Sequence, residues 1–466
     1  MANKSVNTFN HKKKNEKGRT ILFFYKLLYV IAQVAFFVVT WLSTQSRYYI
    51  TGKTTVFLAA VFAIAFTGFL TTYSAFEVHK AKPLDLCVKH FLSLALSDII
   101  IFLAIIIALR NLPDLSDLAL MVPVQVILTV IWNITAVRIH FAVNPAAETI
   151  VVYSDRLAYE SIEAINNDTK NFRVIKTINL NDYDGDISQV KEILLEAEVV
   201  VLCGILLQER NDIFKYLIEH NKKVIVRPSI GDVLVSTAER EYLFNVPVLT
   251  YNSGDKTFAT LALKRAMDIA VSALMLLFAS PAMLLVALAI KIEDRGPVFY
   301  KQQRLTKNAK VFKIIKFRSM RVDAEKDGVA RLAADNDDRI TKVGRFIRAT
   351  RLDELPQLIN ILKGEMSLIG PRPERPEIAQ QYEEMLPEFA LRLKVKAGLT
   401  GYAQVYGKYN TTPYDKLQMD LMYVADMSFF TDIKLIMLTV QVMFQKDSTE
   451  GVEKGNTTAV KETSVK

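Results

Sequence analysis

The sequence predicts a membrane protein of mixed class: a bundle of four transmembrane helices, an α/β Rossmann-like middle domain, and an α-helix-rich C-terminal domain carrying a re-entrant membrane helix. Three observations lead there. Apolar runs are concentrated before residue 140 and return once, at 267–290. Short β-branched runs alternate with helical patterns over 148–255. Beyond residue 220 the chain has neither His nor Cys, yet Lys and Arg crowd around carboxylates. At 466 residues, two or three units are expected.

The membrane part spans 21–140 and follows a basic N-terminus, 1–20, with Lys12, Lys13, Lys14, Lys17 and Arg19. The segments 21–42, 54–74, 90–109 and 118–138 each reach the ~20 residues that a helix needs to cross a bilayer. No small-residue cleavage site follows the first, so it reads as an anchor rather than a removable signal. Lys80, Lys82 and Lys89 lie between the second and third segments, whereas Asp114 and Asp117 dominate the next connection. Positive residues mark the cytoplasmic side, giving both ends of the bundle a cytoplasmic location. Asp98, inside the third segment, is expected near the headgroups, and no chain of ionisable residues marks a transport path.

In the middle domain, Thr149–Tyr153, Phe172–Leu180, Val199–Cys203 and Lys223–Val226 read as strands and Leu157–Asp168 as a helix. This alternation argues for a parallel sheet. The first turn, Ser154-Asp155-Arg156, has no glycine, so a phosphate-approaching loop is missing and a role in assembly or regulation is expected. The apolar run 267–290 has Lys264 and Arg265 before it and Lys291, Arg295, Lys301 and Arg304 after it. Positive charge on both sides suits a segment that enters and leaves by one face. Ser280-Pro281 supplies the break: Pro281 removes a backbone donor, and Ser280 can satisfy the freed carbonyl.

A net charge of +9 suits work beside anionic lipid and on anionic substrates. Nucleic acid is not an expected partner, because no zinc, RNP or basic-helix motif accompanies the charge. Cys87 and Cys203 lack metal spacing and read as reduced thiols. Chemistry in the C-terminal domain must therefore run on carboxylates, Lys, Arg, Tyr and a hard metal ion. The informative block is Arg348-Ala349-Thr350-Arg351-Leu352-Asp353-Glu354-Leu355-Pro356-Gln357, followed by Gly370-Pro371-Arg372-Pro373. Pro356 is tolerated in a first turn, so the carboxylates are expected at a helix N-terminus, where the dipole favours ionised Asp353. An ionised Asp can be a nucleophile or a metal ligand, while Arg348, Arg351 and Arg372 can hold phosphate oxygens.

These blocks occur in order with Gly296–Arg304, Phe312–Met320, Asp338–Arg348, Gly364–Pro373 and Lys396–Val405. Over roughly 260–446 this series resembles the bacterial sugar transferases, the polyprenyl-phosphate hexose-1-phosphate transferases that begin exopolysaccharide, capsule or O-antigen assembly. The helices and α/β unit in front resemble the large monotopic branch of that family. The resemblance implies transfer of a sugar-1-phosphate from a UDP-sugar, usually a UDP-hexose, to undecaprenyl phosphate, giving undecaprenyl-diphosphate-sugar and UMP. It implies Asp353 as nucleophile forming a covalent phosphosugar intermediate, Glu354 as its partner, and Mg²⁺ held by Asp353 and Glu354. Lys316, Arg318, Arg348, Arg351 and Arg372 match phosphate-handling positions, and Ser280-Pro281 matches the helix-breaking pair.

The implied location is the bacterial inner membrane, multi-pass, with the catalytic domain facing the cytoplasm and downstream glycosyltransferases taking the product. A homodimer stays open. Two departures, Tyr406-Gly407-Lys408 after Val405 and Asp337-Asp338-Arg339 before Thr341, leave the sugar undecided. The competing reading, a catalytically inactive scaffold or regulator of polysaccharide assembly, conflicts with the intact Asp353-Glu354, Arg348 and Pro-Arg-Pro elements. The tail 447–466 has no apolar periodicity and is expected to be disordered. Gln302 and Arg304 are open between headgroup contact and a role at the site, and Asp420 and Tyr423 are expected on a helix surface.

Overall fold

The computed structural model describes residues 18–40, 52–80, 82–110, 115–155, 159–183, 187–251, 256–322, 337–407 and 411–443. The expectations for residues 1–17, for Lys408 and for the tail lie outside these. The chain forms two compact units, Met1–Ser229 and Ile230–Lys466.

The first unit opens with four long apolar helices, α1 Gly18–Thr40, α2 Gly52–Thr72, α3 Pro83–Leu109 and α4 Leu115–Val143. One apolar cluster draws on all four, including Tyr29 and Phe37, Phe62 and Phe66, Leu86 and Leu94, and Trp132. Polar side chains also pair across it: Tyr29 with Thr129 at 2.9 Å, and Gln33 donating to Thr129 at 3.2 Å. Asp98 lies near the middle of α3 and accepts a hydrogen bond from Gln125 of α4 at 3.3 Å, a pairing that offsets the cost of a polar group among apolar helices.

After the helices come β1 Ala147–Tyr153, α5 Tyr159–Asn167, β2 Phe172–Asn179, α6 Ser188–Leu194, β3 Val199–Cys203, α7 Leu207–Glu219 and β4 Lys223–Val226. The sheet is parallel throughout, in the order β2-β1-β3-β4. Alternate residues of β1 and β3 enter different apolar clusters, Ile150, Val152, Val200 and Leu202 in one, Val151, Val199, Val201 and Cys203 in the other. Both faces are thus covered, which is why β3 reads as an unbroken apolar run. Cys87 and Cys203 are free thiols. The unit ends earlier than 255: the next helix, α8 Ile230–Ser236, belongs to the second unit, where Val233 packs with Tyr382, Phe389, Leu417 and Leu421.

In the second unit, the hairpin β5 Glu239–Leu243 and β6 Val246–Thr250 precedes α9, Phe258–Asp294. The helix is capped by Thr257, which accepts from the Thr260 amide. The expected break at Ser280-Pro281 does not interrupt it; the helix runs through Pro281 for 37 residues. The physical reason is local. Pro281 leaves the Leu277 carbonyl without its usual donor, and the Ser280 hydroxyl donates to that oxygen at 2.8 Å. Leu274, Leu277, Phe278, Leu284, Leu285 and Leu288 are exposed along its middle, whereas its two ends dock on the rest of the unit. Arg265 donates to the Ile361 and Leu362 carbonyls, Asp268 accepts from Ser367 and the Leu368 amide, and Val286 and Ile290 pack with Phe317 and Ile347.

The remaining elements carry the site: the antiparallel hairpin β7 Phe299–Leu305 and β8 Val311–Phe317, α10 Lys342–Ala349, α11 Gln357–Lys363, β9 Ser367–Ile369, α12 Pro376–Met385, β10 Gly398–Thr400, α13 Tyr402–Tyr406, α14 Pro413–Ala425 and α15 Phe429–Met443. Strands β9 and β10 pair in parallel, which drives Gly370 against Gly398. A Cβ on Gly398 would collide with the backbone nitrogen and oxygen of Gly370, neither of which can swing aside as a side chain could. Gly398→Ala is therefore expected to lower the thermal unfolding midpoint, at an overpacking cost of about 1–3 kcal/mol. An unchanged midpoint would contradict this close approach.

Candidate active site

Asp353 and Glu354 lie on a short 3₁₀ turn, Leu352–Glu354, one turn ahead of α11, rather than inside the helix. Pro356 has no N–H, so the chain cannot close an ordinary α-helical bond back to Leu352 and tightens instead, with the Leu355 amide donating to the Leu352 carbonyl at 3.3 Å. Upstream, Arg351 adopts a left-handed backbone, φ 55°, which reverses the chain between α10 and the dyad. A non-glycine residue held there costs free energy and is characteristic of constrained sites. Because α11 has only seven residues, its dipole is a minor influence on the carboxylates.

The stronger influence is a pair of cations. Lys316, from β8, donates to Glu354 Oε1 at 2.9 Å, and Arg372, from the Pro-Arg-Pro segment, donates to the same oxygen at 3.0 Å. Burial works to raise the Glu354 pKa, but Lys316, Arg372 and Arg351 together outweigh it and hold the carboxyl well below its usual range. Glu354 in turn pushes the Arg372 pKa up, against the effect of burial. Asp353 is shifted the other way. Burial and the neighbouring Glu354 charge raise its pKa, while Lys316, Arg348 and Arg372 pull it back. No hydrogen bond or ion pair within the described residues engages the Asp353 carboxylate.

Lys316, Arg348, Arg351 and Arg372 thus converge on the dyad through contact or charge. Arg318 does not join them. It follows the end of β8, is 7% exposed, and pairs with Asp294 at the end of α9, the nearer carboxylate. Ser280 and Pro281 are inside α9.

The donor set fits a hard cation of the Mg²⁺ type. Both protein partners of Glu354 use Oε1, so its second oxygen and the Asp353 carboxylate are available, and both are oxygen donors. Among the described residues no cluster of three or more His, Cys, Asp or Glu forms a protein-only cage. One or two carboxylates completed by phosphate oxygens and water are the usual Mg²⁺ arrangement.

Sequence reasoning missed the residues that hold Arg372 in place. The Ile369 carbonyl accepts from Lys264 at 3.2 Å and from Tyr423 at 3.1 Å. The Pro371 carbonyl accepts from the Gly398 amide at 2.9 Å, the Arg372 carbonyl from Arg392 at 2.8 Å, and the Pro373 carbonyl from Arg304 at 3.1 Å. Arg304, left between headgroups and the site by the sequence, is half-buried in this hold, and burial lowers its pKa to about 10. Asp420 and Tyr423, expected on a helix surface, are each 1% exposed. Asp420 pairs with Arg392 at 2.7 Å, and Tyr423 donates to Asp432 at 2.8 Å, which also binds Lys264 at 2.7 Å. Only the alternation of apolar and polar residues in α14 hinted at burial there.

Residues 259–446 match the family model described as bacterial sugar transferase. Over 190 residues the chain is 38% identical to a UDP-glucose:undecaprenyl-phosphate glucose-1-phosphate transferase of Caulobacter vibrioides, covering 40% of this chain and 71% of that protein. The chain belongs to the bacterial sugar transferase family. It is also 40% identical over 222 residues to the enzyme of the same name from Escherichia coli K12, covering 47% of this chain and 48% of that one. A UDP-N-acetylgalactosamine-undecaprenyl-phosphate N-acetylgalactosaminephosphotransferase of Aeromonas hydrophila is 40% identical over 184 residues, 39% of this chain and 43% of its own. The match spans about half the length of the Escherichia coli relative. In this chain the matched region contains the dyad, all four converging cations and the residues that hold the Pro-Arg-Pro segment.

Asp420 gives that hold a pH dependence. Burial pushes its carboxyl from 3.8 up to about 6, against the pull of Arg392. The folded state then binds this proton more tightly than the unfolded chain, so stability from this group is lost as pH rises between 3.8 and about 6. Compared with Asp420→Asn in thermal unfolding, the wild type is expected to lose ground across that window and to diverge no further above it. A difference that stays flat from pH 4 to pH 7 would contradict the assignment.

Proposed function

We propose that this chain transfers a sugar-1-phosphate from a UDP-sugar, with UDP-hexose the leading class, to undecaprenyl phosphate, releasing UMP and leaving undecaprenyl-diphosphate-sugar in the membrane. The observation that carries the reading is the asymmetric dyad: Glu354 is clamped and ionised between Lys316 and Arg372, while its neighbour Asp353 has no hydrogen-bond or ion-pair partner among the described residues. The names of the relatives, which specify glucose-1-phosphate or N-acetylgalactosamine phosphate transfer to undecaprenyl phosphate, support the same class of reaction.

In the first step an Asp353 carboxylate oxygen attacks the phosphorus that bears the sugar. The bond to the bridging oxygen breaks, and UMP leaves with the electron pair. In the second, a phosphate oxygen of undecaprenyl phosphate attacks the same phosphorus, and the Asp353 carboxylate departs. A diphosphate repels an incoming anion, so most of the catalytic work is neutralisation and alignment. Arg348 and Arg372, both acting on Asp353, would hold the non-bridging oxygens, with Arg372 sharing Glu354 with Lys316. Mg²⁺ held by Asp353 and Glu354 would supply further neutralisation of the diphosphate.

The proposed setting is a multi-pass protein of the bacterial inner membrane with the second unit on the cytoplasmic side. There α9 enters and leaves by one face, consistent with the docking of both its ends on that unit and with the exposed leucines between them. The four N-terminal helices act as an anchoring bundle. The parallel-sheet domain is a Rossmann-like element of assembly or regulation.

Purified protein in lipid is expected to release UMP from at least one UDP-sugar when undecaprenyl phosphate and Mg²⁺ are supplied. Asp353→Asn is expected to lower turnover by at least about a thousandfold, as loss of a nucleophile does elsewhere. Incubation with donor alone should add one hexose-phosphate to the peptide that contains Asp353, read by mass spectrometry. Full activity in Asp353→Asn would reject the assignment.

A further inference from the structure

The exposed apolar helix α9 ends in two adjacent carboxylates, and each is bound to a different element of the site. Glu293 accepts from the first amides of α10, Lys342 N at 2.8 Å and Val343 N at 3.3 Å. Asp294 accepts from Arg318, just past the end of β8, and from the Gly296 amide at 3.1 Å. These two elements present two of the three cations that act on Asp353: Arg348 is in the last turn of α10, and Lys316 is the penultimate residue of β8.

Three further details tie the same knot. Ile347 and Phe317, the immediate neighbours of Arg348 and Lys316, pack on Val286 and Ile290 of α9. Arg295 terminates the helix in a left-handed conformation, φ 55°, so the chain turns sharply at this point. A Cβ on Gly296 would run into the Arg318 guanidinium, whose Nη1 is buried without a hydrogen-bond partner. Arg318 therefore has little freedom to choose another carboxylate, and a buried guanidinium without its counter-charge is costly.

We propose that Glu293 and Asp294 are positioning residues, which lock the end of the membrane-seated helix onto the two elements that deliver Arg348 and Lys316 to the dyad. In this arrangement the seating of α9 in lipid sets the spacing of the cations around Asp353. The apolar contacts fix the distance of helix from sheet, and the two carboxylates fix rotation and register. The inference rests on the proposed phosphotransfer for its consequence in turnover, but the mechanical link itself does not depend on that reading.

The test uses the full chain in lipid nanodiscs and two kinds of readout. In Asp294→Asn and in Glu293→Ala, hydrogen exchange of the amides in 311–317 and 342–349 is expected to quicken about tenfold, with exchange in 357–363 and 367–369 unchanged. Turnover is expected to fall about tenfold with the donor KM within about twofold, because alignment rather than binding is lost. Glu293→Gln, which keeps an acceptor oxygen, and Asp294→Glu, which keeps the charge, are expected to recover most of both. Exchange that is unchanged in both disruptive variants overturns the proposal. So does exchange that quickens evenly over the whole second unit, since that would be a simple loss of stability. If the wild-type protein releases no UMP from any UDP-sugar, the functional reading fails, while the exchange pattern still decides the link.

Discussion

A single oxygen, Oε1 of Glu354, receives both Lys316 and Arg372, and the rest of the site is arranged around that junction. Two carboxylates adjacent in sequence and partly buried repel each other, and burial alone would push both toward the neutral form. Placing two cations on one of them separates their fates. Glu354 becomes a fixed anion within a cluster of net positive charge, and Asp353, next to it, keeps a carboxylate that no group among the described residues ties up. The junction also joins three stretches of chain that are distant in sequence, a hairpin strand, a 3₁₀ turn and a proline-flanked loop.

The proline-flanked loop shows how that third partner is fixed. Pro371 and Pro373 have no N–H groups, so the segment has few donors of its own to anchor it. Its carbonyls are gripped instead. Lys264 and Tyr423 take Ile369, the Gly398 amide takes Pro371, Arg392 takes Arg372, and Arg304 takes Pro373. Four of these five donors come from side chains, three of them cationic, and each cation must find a counter-charge or a second acceptor in the interior. Lys264 has Asp432, Arg392 has Asp420, and Arg304 has Gln302. The buried polar network of the second unit is thus a consequence of using prolines to present Arg372 rigidly.

This explains which parts were legible in the sequence. The four apolar spans, the strands of the parallel sheet and the dyad with its arginines announce themselves through local periodicity or composition, and the helices and strands lie close to where those patterns put them. The dyad was expected in or near a first helical turn and lies on a 3₁₀ turn just ahead of α11; the tolerance of Pro356 in a first turn does not say whether the preceding residues close α or 3₁₀ bonds. Arg318 was misassigned for a different reason. It lies two residues from Lys316, just past the end of a basic strand, and nothing local distinguishes the cation that reaches Glu354 from the one that pairs with Asp294. Asp420, Tyr423, Arg304 and Arg392 have partners far along the chain, and such partners leave no periodic trace.

The same logic bears on why an apolar helix should be so firmly joined to a polar site. Exposed leucines along the middle of α9 call for lipid, whereas its first turns and its last residues are engaged by backbone carbonyls, carboxylates and amides of the second unit. A helix held in this way cannot shift in the bilayer without moving the groups it grips. For the proposed reaction, whose donor is water-soluble and whose acceptor is a lipid, that constraint would be useful: the nucleophile would have to stand at a depth that both can reach. Two sequential displacements on one carboxylate would then let a shallow site serve each substrate in turn, provided the cations that neutralise the phosphate stay aligned with Asp353 throughout.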